Sequence, residues 1–158
     1  MRQALISIMV LLLCSQPALA LQGAAGTASA ALQVSDAWMR ALPPGQPTAA
    51  AYLTLKNVSE SPILLVEISA SVASRVEIHE SVQEDGMWRM RAMPRMELAA
   101  GQSLSLEPGG IHLMMFGMQR SPQPGQQFQF EFTLASGETV SATANVRATG
   151  ASSAHRHH

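Results

Sequence analysis

From Leu32 to Arg147 the chain alternates apolar and polar residues with a period of two, interrupted by turn residues. A strand sends successive side chains to opposite faces, so this period predicts β-structure with one face buried. "LQVSDAWMR" runs into "ALPPGQPT", whose three prolines and one glycine break any regular element. "AAAYLTLKNVS" then sets Ala51, Leu53 and Leu55 on one face and Tyr52, Thr54 and Lys56 on the other. "PILLVEIS" and "SRVEIHES" are further β-rich runs. In "FQFEFTL", Phe128, Phe130, Phe132 and Leu134 share one side; "ASGE" turns the chain, and "TVSATANVR" returns with Val140, Ala142, Ala144 and Val146 inward. That pair reads as a hairpin. Met87, Met90, Met93 and Met96 recur at a helix-like interval of three. Gly86 and Pro94 interrupt them, and "WRMRA" alternates as strands do, so two short strands or a strand and a loop are expected. Eight or so strands without a helix predict an all-β sandwich or barrel, paired antiparallel because the connections are short.

The N-terminal end follows a different logic. Arg2, the apolar run Ala4 to Leu13 and the A-x-A tripeptide Ala18-Leu19-Ala20 have the layout of a secretory signal, too short in its apolar part for a permanent span. Cleavage after Ala20 is favoured over lipid attachment at Cys14, because Leu13 is bulky where a lipoprotein signal needs a small residue. The expected organisation is signal peptide 1–20, flexible leader 21–30, β-domain 31–148 and tail 149–158. Cleavage removes the single cysteine and leaves about 138 residues. Such a chain has no disulfides and must be held by its core. With ten Lys and Arg against eleven Asp and Glu, a net charge of −1 gives no footprint for nucleic acid or for a polybasic membrane contact. No membrane span is expected after processing, and the periplasm is the expected compartment.

Candidate chemistry lies in "IHLMMF" and "VEIHE". Up to Gly150 the processed chain has two histidines, His79 and His112. In a strand His112 and Met114 share a face, with Leu113 and Met115 opposite; Val76 and Ile78 inward leave His79 on the other face. Met90 follows between Arg89 and Arg91. Two imidazoles and two thioethers, without carboxylate or thiolate, suit Cu(I) and are poor ligands for Ca²⁺, Mg²⁺ or Mn²⁺. Zinc more commonly recruits cysteine or carboxylate. Thioethers need no deprotonation and form no disulfides, an advantage in an oxidising compartment. Methionine is also the usual filler of cores, so Met87, Met93, Met96, Met115 and Met118 are assigned to packing, with Met87 and Met118 as auxiliary candidates. Pro108-Gly109-Gly110 is read as a tight turn that aims the His112 strand. Glu77 and Glu80 are read as solvated strand charges.

His79, ten residues, Met90, twenty-one residues, His112, one residue, Met114 reproduces the H-x10-M-x21-H-x-M pattern of the PCuAC family of periplasmic copper chaperones. "DAWMRALPPGQPTAAAYLTLKN", "VEIHE" and "LEPGGIHLMMFGM" resemble that family as well, from about Val34 to Val146. The resemblance implies a cupredoxin-like Greek-key barrel and one surface Cu(I) on His79, Met90, His112 and Met114. It also implies delivery toward the binuclear copper site of cytochrome c oxidase, with subunit II or another periplasmic copper chaperone as partner. Sequestration for copper tolerance uses the same ligands without a delivery partner. The tail "TGASSAHRHH" adds His155, His157 and His158, whose imidazoles suit Cu(II) more than Cu(I). A blue-copper electron carrier needs a thiolate that the processed chain lacks. No nucleophile elbow or carboxylate pair beside a base points to an enzyme. A monomeric copper carrier is the expectation.

Overall fold

The computed structural model describes residues 30–148, which form ten strands and no helix. They are β1 (Leu32–Arg40), β2 (Thr48–Asn57), β3 (Ile63–Ala70), β4 (Arg75–Glu84) and β5 (Met87–Met93), followed by β6 (Met96–Leu98), β7 (Ser103–Leu106), β8 (Ile111–Phe116), β9 (Gln127–Leu134) and β10 (Thr139–Arg147). The order across the sheet is β5-β4-β8-β2-β1-β10-β9-β3-β6, with β7 beside β8 along the edge of β2. Successive strands β2 and β3 lie far apart in that order, so the chain crosses over in Greek-key fashion. The architecture is all-β and cupredoxin-like. Two strands more than expected are present because β6 and β7, of three and four residues, are too short to carry a period. The methionine segment forms two strands, β5 and β6, on either side of Pro94. One pair, β1 with β10, is parallel. It joins the two ends of the described fold, so an argument from short connections did not reach it.

The sheet wraps one core. Ala51, Leu53 and Leu55 of β2 meet Leu113 and Met115 of β8, Phe128, Phe130, Phe132 and Leu134 of β9, and Ala144 and Val146 of β10. These are the inward faces that the alternation predicted. β1 departs from simple alternation. Its register against β2 shifts between Ser35 and Trp38, where Asp36 takes the left-handed conformation (φ 53°). One extra residue exchanges the faces. Val34 before the bulge and Met39 after it both turn to the core, and Trp38 is placed opposite Tyr52 on the outer side. At the other end of the sheet, β4 and β5 are joined by Asp85-Gly86, both at positive φ (51° and 76°). Two left-handed residues make the tight hairpin turn whose twist matches its strands. That turn fixes Ser81 opposite Met90 and His79 opposite Ala92.

A candidate metal centre on the outer sheet face

The register gathers the candidate residues. β4 and β8 pair so that His79 faces His112 directly and Glu77 faces Met114. On the far side of β8, Met114 faces Ala50 of β2. His79, Ser81, His112, Met114, Ala50, Tyr52 and Met90 therefore share the face opposite the core. Ser81 and Ala50 are the small members of this patch and leave room over themselves for longer neighbours. A cleft of about 390 Å³ opens there, lined among others by Met90, His112, Met114, Ser81, Tyr52 and Trp88. His79 adjoins it, its ring centroid 6.2 Å from that of His112. All four sequence-predicted residues thus fall on one face of three neighbouring strands.

Their exposure is unequal, which corrects the simple picture of outward ligands. His112 is 5% exposed and its neighbour Tyr52 7%. Tyr52 packs at a tilt against Trp38, with ring centroids 4.5 Å apart, and the Arg147 guanidinium covers Trp38 at 4.9 Å. On the other side Phe116 lies 5.9 Å from the His79 ring and is itself covered by Arg75 at 4.7 Å. Tyr52, backed by the arginine-covered Trp38, and the arginine-covered Phe116 thus screen the imidazoles. Met90, by contrast, is 62% exposed and Trp88 69%. The auxiliary candidates are placed apart from the patch. Met118 packs against the core, and alternation along β5 sets Met87 on the face opposite Met90. His155, His157 and His158 lie outside the described residues, as do the signal peptide, nearly all of the leader and the tail.

Each imidazole spends one nitrogen on a protein partner and keeps the other. The His112 Nδ1 donates to the Gly110 carbonyl at 3.0 Å, and the Ser81 N–H also donates to that oxygen, at 3.2 Å. The Pro108-Gly109-Gly110 turn, with Gly109 at φ 85°, supplies this acceptor as well as the strand entry. The His79 Nε2 donates to the Glu77 carboxylate at 2.8 Å, and its Nδ1 is buried without any hydrogen-bond partner. A buried polar atom left unmet costs free energy, on the order of 1–3 kcal/mol. It is what a ligand atom looks like before its ion arrives. Glu77 is the residue the sequence reading missed: it is no solvated bystander. Its bond to His79, helped by the Arg75 guanidinium, holds its carboxyl below the usual carboxylate range. The available signal was the E-x-H spacing, which sets both side chains on one face of a strand. Among the described residues no three His, Cys, Asp or Glu side chains gather closely enough to hold a metal. The thioethers of Met90 and Met114 share this face with the two imidazoles, and such a donor set suits a soft ion.

An all-β domain of cupredoxin-like fold with such a face belongs to a class of small metal-site domains, and the comparisons specify which. The family model described as "Putative lipoprotein LpqE-like" matches residues 32–146, and the chain belongs to this family, whose members are PCuAC-like proteins. The chain is 32% identical over 109 residues to "Putative lipoprotein Lxx21020" of Leifsonia xyli subsp. xyli, covering 68% of this chain and 64% of that protein. It therefore spans just under two thirds of that relative's length. Among solved structures, the solution structure of Cu(I)-DR1885 from Deinococcus radiodurans is similar at a TM-score of 0.61 and 28% identity, over 80% of this chain and 85% of that one. The copper-bound PCuAC domain of PmoF2 is similar at a TM-score of 0.63, over 75% of this chain and 94% of that domain. At 18% identity the second likeness is one of fold.

Proposed function

We propose that the domain carries Cu(I), bound by His79, Met90, His112 and Met114, and surrenders it to an acceptor protein outside the cytoplasm. The observation that carries this reading is the facing pair of imidazoles, each with one nitrogen committed and, at His79, the other buried and unpartnered. Two thioethers on the same face complete a soft donor set without a carboxylate or a thiolate. The likeness to a Cu(I)-loaded domain at 28% identity supports the choice of ion. Copper here is cargo, and the exposure gradient suits a carrier. The screened imidazoles hold, whereas the exposed Met90 can be displaced first by an incoming ligand.

Anaerobic titration against a Cu(I) chelator tests the site. His79→Ala and Met114→Ala should each weaken Cu(I) binding while circular dichroism still reports a folded β-domain. Undiminished binding by both variants would overturn the assignment. Delivery to the binuclear site of cytochrome c oxidase is the destination we infer for the cargo. Mixing the loaded protein with a soluble fragment of oxidase subunit II should move copper to the fragment; retention would favour sequestration. A second, Cu(II) site on His155, His157 and His158 would appear as Cu(II) capacity lost on truncation after Gly150.

For localisation we infer the periplasm, reached by cleavage after Ala20. The family's lipoprotein description supports export, and it keeps lipid attachment at Cys14 as the rival route. The mass of the processed N-terminus decides between Leu21 and a lipid-modified Cys14.

A further inference from the structure

Building on the copper reading, we propose that Glu77, braced by Arg75, is a positioning residue that makes His79 present Nδ1. The two imidazoles then grip one ion through different nitrogens, His79 through Nδ1 and His112 through Nε2. An ionised carboxylate only accepts hydrogen bonds, so the His79 Nε2, 2.8 Å from Glu77 Oε2, carries the proton. A neutral imidazole has one N–H and one lone pair, and the lone pair of His79 is therefore at Nδ1. That atom is the buried one without a partner. At His112 the argument runs the other way: a carbonyl also only accepts, so Nδ1 carries the proton and the lone pair lies at Nε2.

Strand geometry explains why Glu77 engages the far nitrogen. Residues two apart on one face are separated by about 6.6 Å, so a glutamate arm running alongside the ring meets its outer end. The carboxylate is fixed from behind. Arg75 Nε lies 2.8 Å from Glu77 Oε1, and the same guanidinium rests on Phe116, whose ring is beside His79. Exposure falls along this row, from 62% at the Arg75 side chain through 32% at Glu77 to 14% at His79, so the orienting contact is half-buried and is covered from the His79 side. Outer contacts that fix ring orientation are a general means of tuning metal ligands.

The asymmetry has a structural consequence. Nδ1 is the ring nitrogen nearer the backbone and Nε2 the farther one. An ion held by the near nitrogen of His79 and the far nitrogen of His112 therefore lies closer to β4 than to β8. β4 is the strand beside β5, which carries Met90. Displacement toward β4 lets Met90 reach the ion over the small Ser81, although two strand spacings separate β5 from β8.

The test uses the diamagnetic Cu(I)-loaded protein with nitrogen-15-labelled imidazoles and two-bond proton–nitrogen correlation spectra. Without copper, His79 should show Nε2–H and His112 Nδ1–H. Copper should shift His79 Nδ1 and His112 Nε2. A copper-dependent shift at His79 Nε2 instead would overturn this proposal and leave the copper site standing; no shift at either nitrogen of His79 would remove the copper site too. Glu77→Ala should lower Cu(I) affinity by about 10–100-fold. Glu77→Gln, which still accepts the Nε2–H bond, should recover most of it. Equal affinity in the two variants would refute a positioning role.

Discussion

Two polar side chains of the same sheet meet opposite fates. Asn57, at the end of β2, is fully buried and fully satisfied. Its amide nitrogen donates to the carbonyls of Ser61, Leu98 and Ala99 at 2.8, 3.0 and 3.0 Å, and its oxygen accepts from the backbone N–H and hydroxyl of Ser59 at 2.9 and 2.7 Å. His79, on β4, has one nitrogen bonded and the other buried and unmet. The amide ties two loops to a strand end, which is a structural task complete within the chain. The imidazole is incomplete within the chain, and its missing partner is the best pointer to what the molecule does. Both side chains place polar atoms out of reach of water, and the tally of partners tells them apart.

Mutations can break that contrast. The largest expected effect is at the imidazoles: His112→Ala should cut Cu(I) affinity by more than the roughly 100-fold that marks the upper range for outer contacts. Chelator competition measures it, and the unfolding transition should survive. Asn57→Ala should do the reverse, losing about 2–3 kcal/mol of stability by stranding buried carbonyls and the Ser59 donors, with Cu(I) affinity of the folded protein unchanged. Denaturant unfolding with and without copper separates the two. His79→Phe sharpens the point. It fills the space and removes both the unmet nitrogen and the bond to Glu77, so copper binding should fail while stability changes by no more than about 1 kcal/mol. Met90→Ala, at an exposed position, should cost less affinity than either histidine and show mainly as faster copper release in stopped-flow transfer.

The smallest effect is in the pH dependence. The folded pKa of Glu77 is lowered, first by its bond to His79 and then by Arg75. Its contribution to stability is therefore complete above the unfolded carboxylate value near ~4.3 and is lost as pH falls through the lower folded value. The difference between wild type and Glu77→Gln should shrink as pH falls below about 4. Denaturant midpoints across that range read it.

The strands that could be read from sequence were those with one wet and one dry face. β9 and β10 alternate because water lies on one side and the core on the other. The outward setting of His79 and Met114 was readable for the same reason. β1 was not, because the bulge at Asp36 swaps faces without any change in composition. Asp85-Gly86 was a readable signal: the pair demands two left-handed residues and sets the register of Met90. The screening of His112 was hidden, since the rings beside it come from β1 and β2, remote in the chain.

By itself the sequence determined which side chains point away from the core and that their donor atoms are soft, because strand alternation and atom chemistry are local properties. Tertiary structure decided that His79 faces His112 across a strand pair, that Glu77 and Gly110 each claim one ring nitrogen, and that one lone pair is left buried and free. The ring contacts to Glu77 and Gly110 each span two residues, but the facing of the two imidazoles depends on register between strands more than thirty residues apart, which is set by the packing of the whole sheet.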